Sequence, residues 1–266
     1  MLRKIAKFIF DGRFGRASVE AVNRLTPHMI RVTLKSDLVT NFSESCPGAH
    51  LKLIVPAADQ SPYDFAEFID AGNFKKEMRT YTIRHIAPDA GTIDVDIAVH
   101  GDLGRVGPWA QRAEVGDEIV ISRCGSPKLI TAGVKRIIAA ADLTGFPALA
   151  AGLETLGPGV KVEAFVEIPG KDDQQPLNAP AGVDINWIIK ADPYAPSTEL
   201  IDVIKAAPSP DGDTSIFVAC EFSTVAELRR YFRHELKTEK SMRYISSYWK
   251  SGATEEEHKI AKAAAA

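Results

Sequence analysis

Arg136-Ile137-Ile138-Ala139-Ala140-Ala141 is a short apolar run, and residues 146–156 follow it at helical spacing. A buried strand passing straight into a helix opens a βα unit. The pattern then repeats: residues 161–168 and 185–189 read as strands, 197–206 as a helix, 215–220 as a strand and 223–237 as a long helix. Strands alternating with helices imply a parallel sheet with right-handed crossovers. The second half is therefore expected to be an α/β domain.

Upstream, the period is different. Between residues 17 and 129, short runs rich in β-branched residues alternate with turn residues, as in a barrel or sandwich of antiparallel strands. The expected strands are 17–25, 29–35, 49–55, 79–85, 92–100 and 118–123. In Thr92-Ile93-Asp94-Val95-Asp96-Ile97 polar and aliphatic residues alternate, so one face is wet and the other buried. Turns such as Asp89-Ala90-Gly91 and Val115-Gly116-Asp117 separate the runs. The expected fold class is an N-terminal antiparallel β-barrel (1–130), then a parallel-sheet, nucleotide-binding-like α/β domain (131–245), with a C-terminal tail or helix (246–266). In that tail Thr254 reads as an N-cap before Glu255, Glu256 and Glu257.

The bulk numbers narrow the function. A chain of 266 residues with 45% hydrophobic and 25% charged residues buries one or two cores. A net charge of -3 gives no basic field for nucleic acid, so an anionic ligand has to be met by a local cluster. Cys46, Cys124 and Cys220 are widely spaced and odd in number, which favours neither a disulfide framework nor a zinc site. The six histidines show no metal-ligand spacing, so no protein-bound metal is expected. The opening ten residues are interrupted by Lys7 and do not read as a signal peptide, and no stretch approaches the ~20 apolar residues of a membrane span. The expectation is a cytoplasmic protein, monomeric and not inserted in a membrane.

Two strings carry chemistry. Arg79-Thr80-Tyr81-Thr82 opens a strand and offers a ring face, hydroxyls and a guanidinium fork, a set suited to a flavin and its phosphate. An ordinary amphipathic strand would read the same way. His100-Gly101-Asp102-Leu103-Gly104-Arg105-Val106-Gly107-Pro108-Trp109-Ala110 brings glycines and a helix start together, which suits a diphosphate. A glycine-rich connection with Trp109 as a core plug is the other reading.

Together with Val99, Val115-Gly116-Asp117 and Ser247-Tyr248-Trp249-Lys250-Ser251-Gly252, in this order, these strings resemble the siderophore-interacting protein family. That family comprises FAD-containing ferric-siderophore reductases related to ferredoxin-NADP reductases. The resemblance implies a cofactor-binding set of Arg79, Thr80, Tyr81 and Thr82 at the ring and adjoining phosphate, and Val99 and His100 beside the flavin. It adds Gly104, Val106, Gly107, Pro108 and Trp109 around the diphosphate, and Trp249 near the flavin or in a C-terminal lid. It also implies basic residues for an anionic ferric chelate: Lys52 and Lys250, then Lys259 and Lys262, with Arg243 ranked beside the last two.

On the electron-donor side the chain departs from the family. A family Ala-Gly-Asp-Glu-Thr-x-x-Pro-Ala string stands here as Ala140-Ala141-Asp142-Leu143-Thr144-Gly145-Phe146-Pro147-Ala148, and a later Ala-Gly-Glu as Ala219-Cys220-Glu221. Asp142, Thr144 and Glu221 remain as expected NAD(P)H-binding residues, but two glycines that let a nucleotide approach are gone. NADPH, NADH and reduced ferredoxin all stay open as donors. The expected activity is FAD-dependent reduction of a ferric siderophore, releasing Fe(II). No acid or base residue is assigned to catalysis, because electrons pass through FAD. The alternatives are a general NAD(P)H or ferredoxin flavin reductase and a non-catalytic ferric-chelate binding protein.

Overall fold

The computed structural model describes residues 12–71, 74, 77–99, 104–127 and 133–265. The chain divides into two compact units, Met1–Pro127 and Lys128–Ala266.

The first unit is a seven-stranded sheet of β1 (Phe14–Thr26), β2 (Met29–Lys35), β3 (His50–Ile54), β4 (Arg79–Thr82), β5 (His85–Ala87), β6 (Thr92–Ala98) and β7 (Glu118–Ser122). Its order is β4-β3-β7-β1-β2-β6-β5, and every pair is antiparallel. The alternation read in the sequence sets the register: Ile30 lies opposite Ile97, Val32 opposite Val95 and Leu34 opposite Ile93, all of them buried. Helices α1 (Pro62–Asp70) and α2 (Val106–Arg112) complete the unit. Trp109 on α2 packs into the same core as Leu51, Leu53, Ile119 and Ile121.

β4 and β5 stand at opposite ends of that order, yet only Ile83 and Arg84 separate them. A flat sheet of this width would hold its edges roughly 28 Å apart, whereas the link reaches about 10 Å. The sheet therefore curls into a barrel. The amide of Ile83 donates to Ala49 O (2.9 Å), while that of Arg84 donates to Asp94 O in β6 (2.8 Å). Closure thus divides the single strand expected over 79–85 into β4, paired with β3, and β5, paired with β6, with the chain passing from one edge of the sheet to the other at Ile83 and Arg84.

The second unit holds β8 (Arg136–Ala141), β9 (Lys161–Ile168), β10 (Val183–Ile189), β11 (Thr214–Glu221) and β12 (Arg243–Trp249) in one parallel sheet ordered β10-β9-β8-β11-β12. Helices α3 (Phe146–Glu154), α4 (Thr198–Ala206), α5 (Phe222–Arg230) and α6 (Glu255–Ala264) accompany it. Ile138, Ala140, Ile216 and Val218 from the central strands pack with Leu200, Ile204, Val225 and Leu228 from α4 and α5. The helix expected over 223–237 is regular only to Arg230. Tyr231–Glu235 forms a wider turn, closed by Leu236 N donating to Tyr231 O (2.9 Å), and Lys237 then reverses the chain at φ 52°. Residues 246–249, expected as the start of a tail, instead end β12. Among the described residues no helix is long and apolar enough to cross a membrane.

Candidate functional site

In the first unit, β4 pairs with β3 so that Tyr81 lies opposite Leu51, Arg79 opposite Leu53 and Lys52 opposite Thr80. Directly opposed residues share a face of the sheet. Arg79 and Tyr81 therefore share the face of Leu51 and Leu53, and Tyr81 packs at the rim of the core. Lys52 and Thr80 take the other face, with Lys52 Nζ hydrogen-bonded to Thr80 Oγ1. Thr82 is buried.

The connection into α2 approaches the same strand through charge. Arg105 Nε pairs with Glu77 Oε2 at 2.9 Å, and Arg79 Nη2 reaches the same oxygen at 3.9 Å. Two guanidiniums thus converge on one carboxylate, and all three groups are partly open to solvent. Arg105 Nη1 also donates to Val55 O (3.3 Å), and Arg112 Nη2 to Pro56 O (3.2 Å). Gly104, just before Arg105, has φ 84°, and among the described residues, its chain neighbours aside, no atom lies within 4 Å of where a β-carbon would stand. Val106 and Trp109 anchor α2 in the core, and the indole N–H of Trp109 is buried without a partner among the described residues. Gly107 and Pro108 lie in the first turn of α2, and Val99 is buried just beyond β6. His100 lies outside the described residues.

In the second unit, the turn between β8 and α3 is organised by Asp142. Its Oδ1 accepts from Thr144 N (2.8 Å), Thr144 Oγ1 (2.5 Å) and Gly145 N (3.1 Å). Its Oδ2 accepts from the indole N–H of Trp249 (2.7 Å), whose ring meets Tyr194 edge-on at 5.8 Å. Gly145 lies so close to β11 that a β-carbon there would enter the carbonyl group of Ala219. Glu221, at the end of β11, accepts from the Ser223 amide (2.5 Å), the Ser223 hydroxyl and the Ser251 amide (3.1 Å). Burial pushes its carboxyl up, but the Ser223 hydroxyl and these backbone amides outweigh that and hold it below the usual range.

A third acid at this sheet edge was not singled out from sequence. Glu167 is the penultimate residue of β9 and is only 5% exposed. Its Oε2 accepts from Ser197 Oγ (2.8 Å) and Lys190 Nζ (3.3 Å), and Lys190 also donates to Ser197 Oγ (2.8 Å). Burial raises the Glu167 carboxyl above its ordinary range; Ser197 and Lys190 oppose that, and the nearby charge of Asp142 adds to it. The available signal was the placement of a lone acid at the end of the second strand of a βαβ run.

The C-terminal lysines have local partners. Lys262 Nζ bonds to Ser246 Oγ (2.7 Å) and Ser247 O (2.8 Å), Lys259 pairs with Glu255 (3.0 Å), and Lys250 lies over the ring of Phe222 at 5.5 Å. Arg243 donates to Thr238 Oγ1 (3.4 Å).

Residues 18–127 match the family described as "Siderophore-interacting FAD-binding domain", and residues 134–252 match that described as "Siderophore-interacting protein". An uncharacterized protein of Mycobacterium tuberculosis is 32% identical over 90% of both chains. The chain belongs to the siderophore-interacting protein family. The ferric vibriobactin reductase of Vibrio cholerae is 29% identical, over 87% of this chain and 88% of that one. The crystal structure of a siderophore-interacting protein from Aeromonas hydrophila superposes with a TM-score of 0.80 at 26% identity, covering 95% of this chain and 97% of that one.

This siderophore-interacting protein accordingly has an FAD-binding first unit, and its own residues fit that cofactor. A diphosphate is a compact anion that two guanidiniums converging on one carboxylate, as Arg79 and Arg105 do, could meet, and Gly104 has the left-handed backbone that glycine adopts without strain. Arg105 stood in the quoted glycine string without a role of its own. Its pairing with Glu77, which no local pattern announces, is what brings it beside Arg79.

Proposed function

We propose that this protein reduces ferric siderophores with electrons carried by FAD, releasing Fe(II) in the cytoplasm. The observation that carries the reading is the convergence of Arg79 and Arg105 on Glu77 beside the Tyr81 strand, a cationic pair whose chemistry suits a dinucleotide phosphate. Bound FAD supplies single-electron chemistry that no side chain offers. Tyr81 provides a flat face at the core rim, Thr82 a buried hydroxyl, and the two arginines fix the charged linker. The remaining cofactor positions, Thr80, Val99, Gly104, Val106, Gly107, Pro108 and Trp109, shape the strand and helix start around it, and His100 is assigned a place beside the flavin from the sequence alone. Trp249 acts through Asp142, orienting the turn after β8.

Lys52 and Lys250, supported by Lys259 and Lys262, would draw in an anionic chelate, because lysine meets diffuse charge without demanding one geometry. The donor is a nicotinamide nucleotide held in the second unit, with Asp142, Thr144 and Glu221 shaping its site, or a reduced ferredoxin. Against the first stood the two lost glycines. However, Ala141 and Cys220 are 0% and 1% exposed, and Cys220 packs in the core cluster with Val218 and Val225.

The test is an anaerobic visible spectrum of the purified protein with FAD, reduced and then mixed with a ferric siderophore and a colorimetric Fe(II) chelator. Flavin bands that bleach on reduction and return as the Fe(II) complex appears are expected. A reduced flavin that persists beside intact ferric siderophore would overturn the reading.

A further inference from the structure

The parallel sheet of the second unit, β10-β9-β8-β11-β12, runs 3-2-1-4-5 in chain order, so its direction of winding reverses between β8 and β11. Doubly wound sheets bind ligands outside the carboxyl ends of their strands at that reversal. There the turn after the first strand faces a pyrophosphate, and an acid at the end of the second strand meets the adenosine ribose. In this unit the first turn is the Asp142-Leu143-Thr144-Gly145 loop, with Gly145 allowing the close approach of α3 to β11. The second strand is β9, and the acid near its carboxyl end is Glu167.

Glu167 has the chemistry for that place. It is 95% buried by side-chain accessibility, since only 5% of its carboxylate-bearing side chain is reached by solvent. Both of its hydrogen bonds, from Ser197 and Lys190, fall on Oε2, and Oε1 has no hydrogen-bond partner among the described residues. A carboxylate offers acceptor sites on both oxygens, and Oε1 is not sealed from solvent, so a ligand hydroxyl can reach it. Ribose hydroxyls donate to such an oxygen, whereas a 2′-phosphate brings like charge against it. The nearby cation does not reverse this, because Lys190 is spent on Glu167 and Ser197 and is 13% exposed.

We propose that Glu167, held in place by Ser197 and Lys190, receives the adenosine ribose hydroxyls of the nicotinamide donor and makes NADH the preferred electron source over NADPH. This rests on the reading of the second unit as the donor's site. Glu167 is then a specificity residue, and Lys190 sets how much of its charge the ribose meets.

Two measurements on the full-length, FAD-loaded protein test the assignment. In anaerobic flavin reduction, NADH is expected to exceed NADPH at least tenfold in kcat/KM. Glu167→Gln should narrow that ratio about tenfold by raising the NADPH value, and Lys190→Met should widen it. In calorimetry, which needs no turnover, wild-type protein should bind AMP more tightly than adenosine 2′,5′-bisphosphate, and Glu167→Gln should remove the difference. The proposal falls if wild type favours NADPH or the bisphosphate, or if the variants scale both nucleotides equally. It also falls if neither nucleotide binds or reduces the flavin; in that case protein reduced by dithionite still transfers electrons to a ferric siderophore if the reductase reading holds. Failure of that transfer alone would sink the reductase reading and leave the AMP comparison to decide the role of Glu167.

Discussion

At the scale of single residues, the two units are organised by close approaches and shared charges that one substitution can break. A methyl group at position 145 would enter the Ala219 carbonyl and stand 2.8 Å from the Ala219 β-carbon, and neither backbone has a flexible end that can give way. Gly145→Ala is expected to destabilise by about 1–3 kcal/mol, the usual range for overpacking. Thermal denaturation should show the melting point several degrees lower, and an unchanged value would mean that α3 is not packed so tightly against β11. In the first unit the sign of a change at Glu77 separates two roles for the arginines. If Arg79 and Arg105 serve a diphosphate, Glu77 competes with it. Glu77→Gln should then leave FAD binding unharmed or tighten it, whereas Arg105→Ala should weaken it about tenfold or more, the loss of a charge-assisted hydrogen bond. Fluorescence titration of apoprotein with FAD measures both. Equal weakening by the two substitutions would make the trio a structural ion pair.

Among the secondary-structure elements, α6 shows how few contacts hold a terminal helix and how pH reaches them. Thr254 caps it in a reciprocal arrangement with Glu257, and the buried pair Ser247 Oγ and His258 Nε2 (2.8 Å) joins it to β12, assisted by Lys262. Burial lowers the His258 basicity, as does the positive charge of Lys262 and, more weakly, Lys250; Glu255 and Glu221 act in the opposite sense. A base with its pKa depressed by folding binds more protons when unfolded, so this contribution is complete above about pH 6.5 and is lost as pH falls below it. Hydrogen exchange at α6 amides, corrected for intrinsic rates, should accelerate between pH 7.5 and 5.5 in wild type and lose that excess in His258→Gln. The same excess in both proteins would exclude the histidine. The Thr254 cap was legible from sequence because it is local, and so were the strands of the first unit, whose alternation β2 and β6 turn directly into a buried face. β12 was not legible, because Arg243-Tyr244-Ile245-Ser246-Ser247-Tyr248-Trp249 is the mixed composition of an edge strand whose pairing with β11 supplies what its side chains do not. The break between β4 and β5, the Glu77 bridge and the Glu167 cluster were equally hidden, since each depends on residues that only chain closure or the parallel sheet brings together.

The molecule as a whole carries a formal charge of -3, so its distant field does not attract an anionic ferric catecholate. Any attraction has to come from a few lysines acting at short range, and Lys52, on the strand paired with the proposed flavin segment, is the one whose place in the fold is best defined for that role. Screening then distinguishes local from global action. Between 0.01 and 0.15 M salt the Debye length falls from about 30 Å to about 8 Å, which removes the weak repulsion of the whole chain before it removes a contact between neighbouring charges. The Michaelis constant for a ferric tris-catecholate should therefore change little over that range and rise only toward 1 M, where the screening length is about 3 Å. A neutral hydroxamate complex should stay flat throughout. Lys52→Ala should raise the catecholate value several-fold at low salt and flatten its rise at high salt, while leaving the visible spectrum of bound FAD unchanged. If Lys52→Ala keeps the wild-type salt curve, the chelate is recognised elsewhere; if it also strips the flavin, the lysine and Thr80 support the FAD strand from its outer face rather than the substrate.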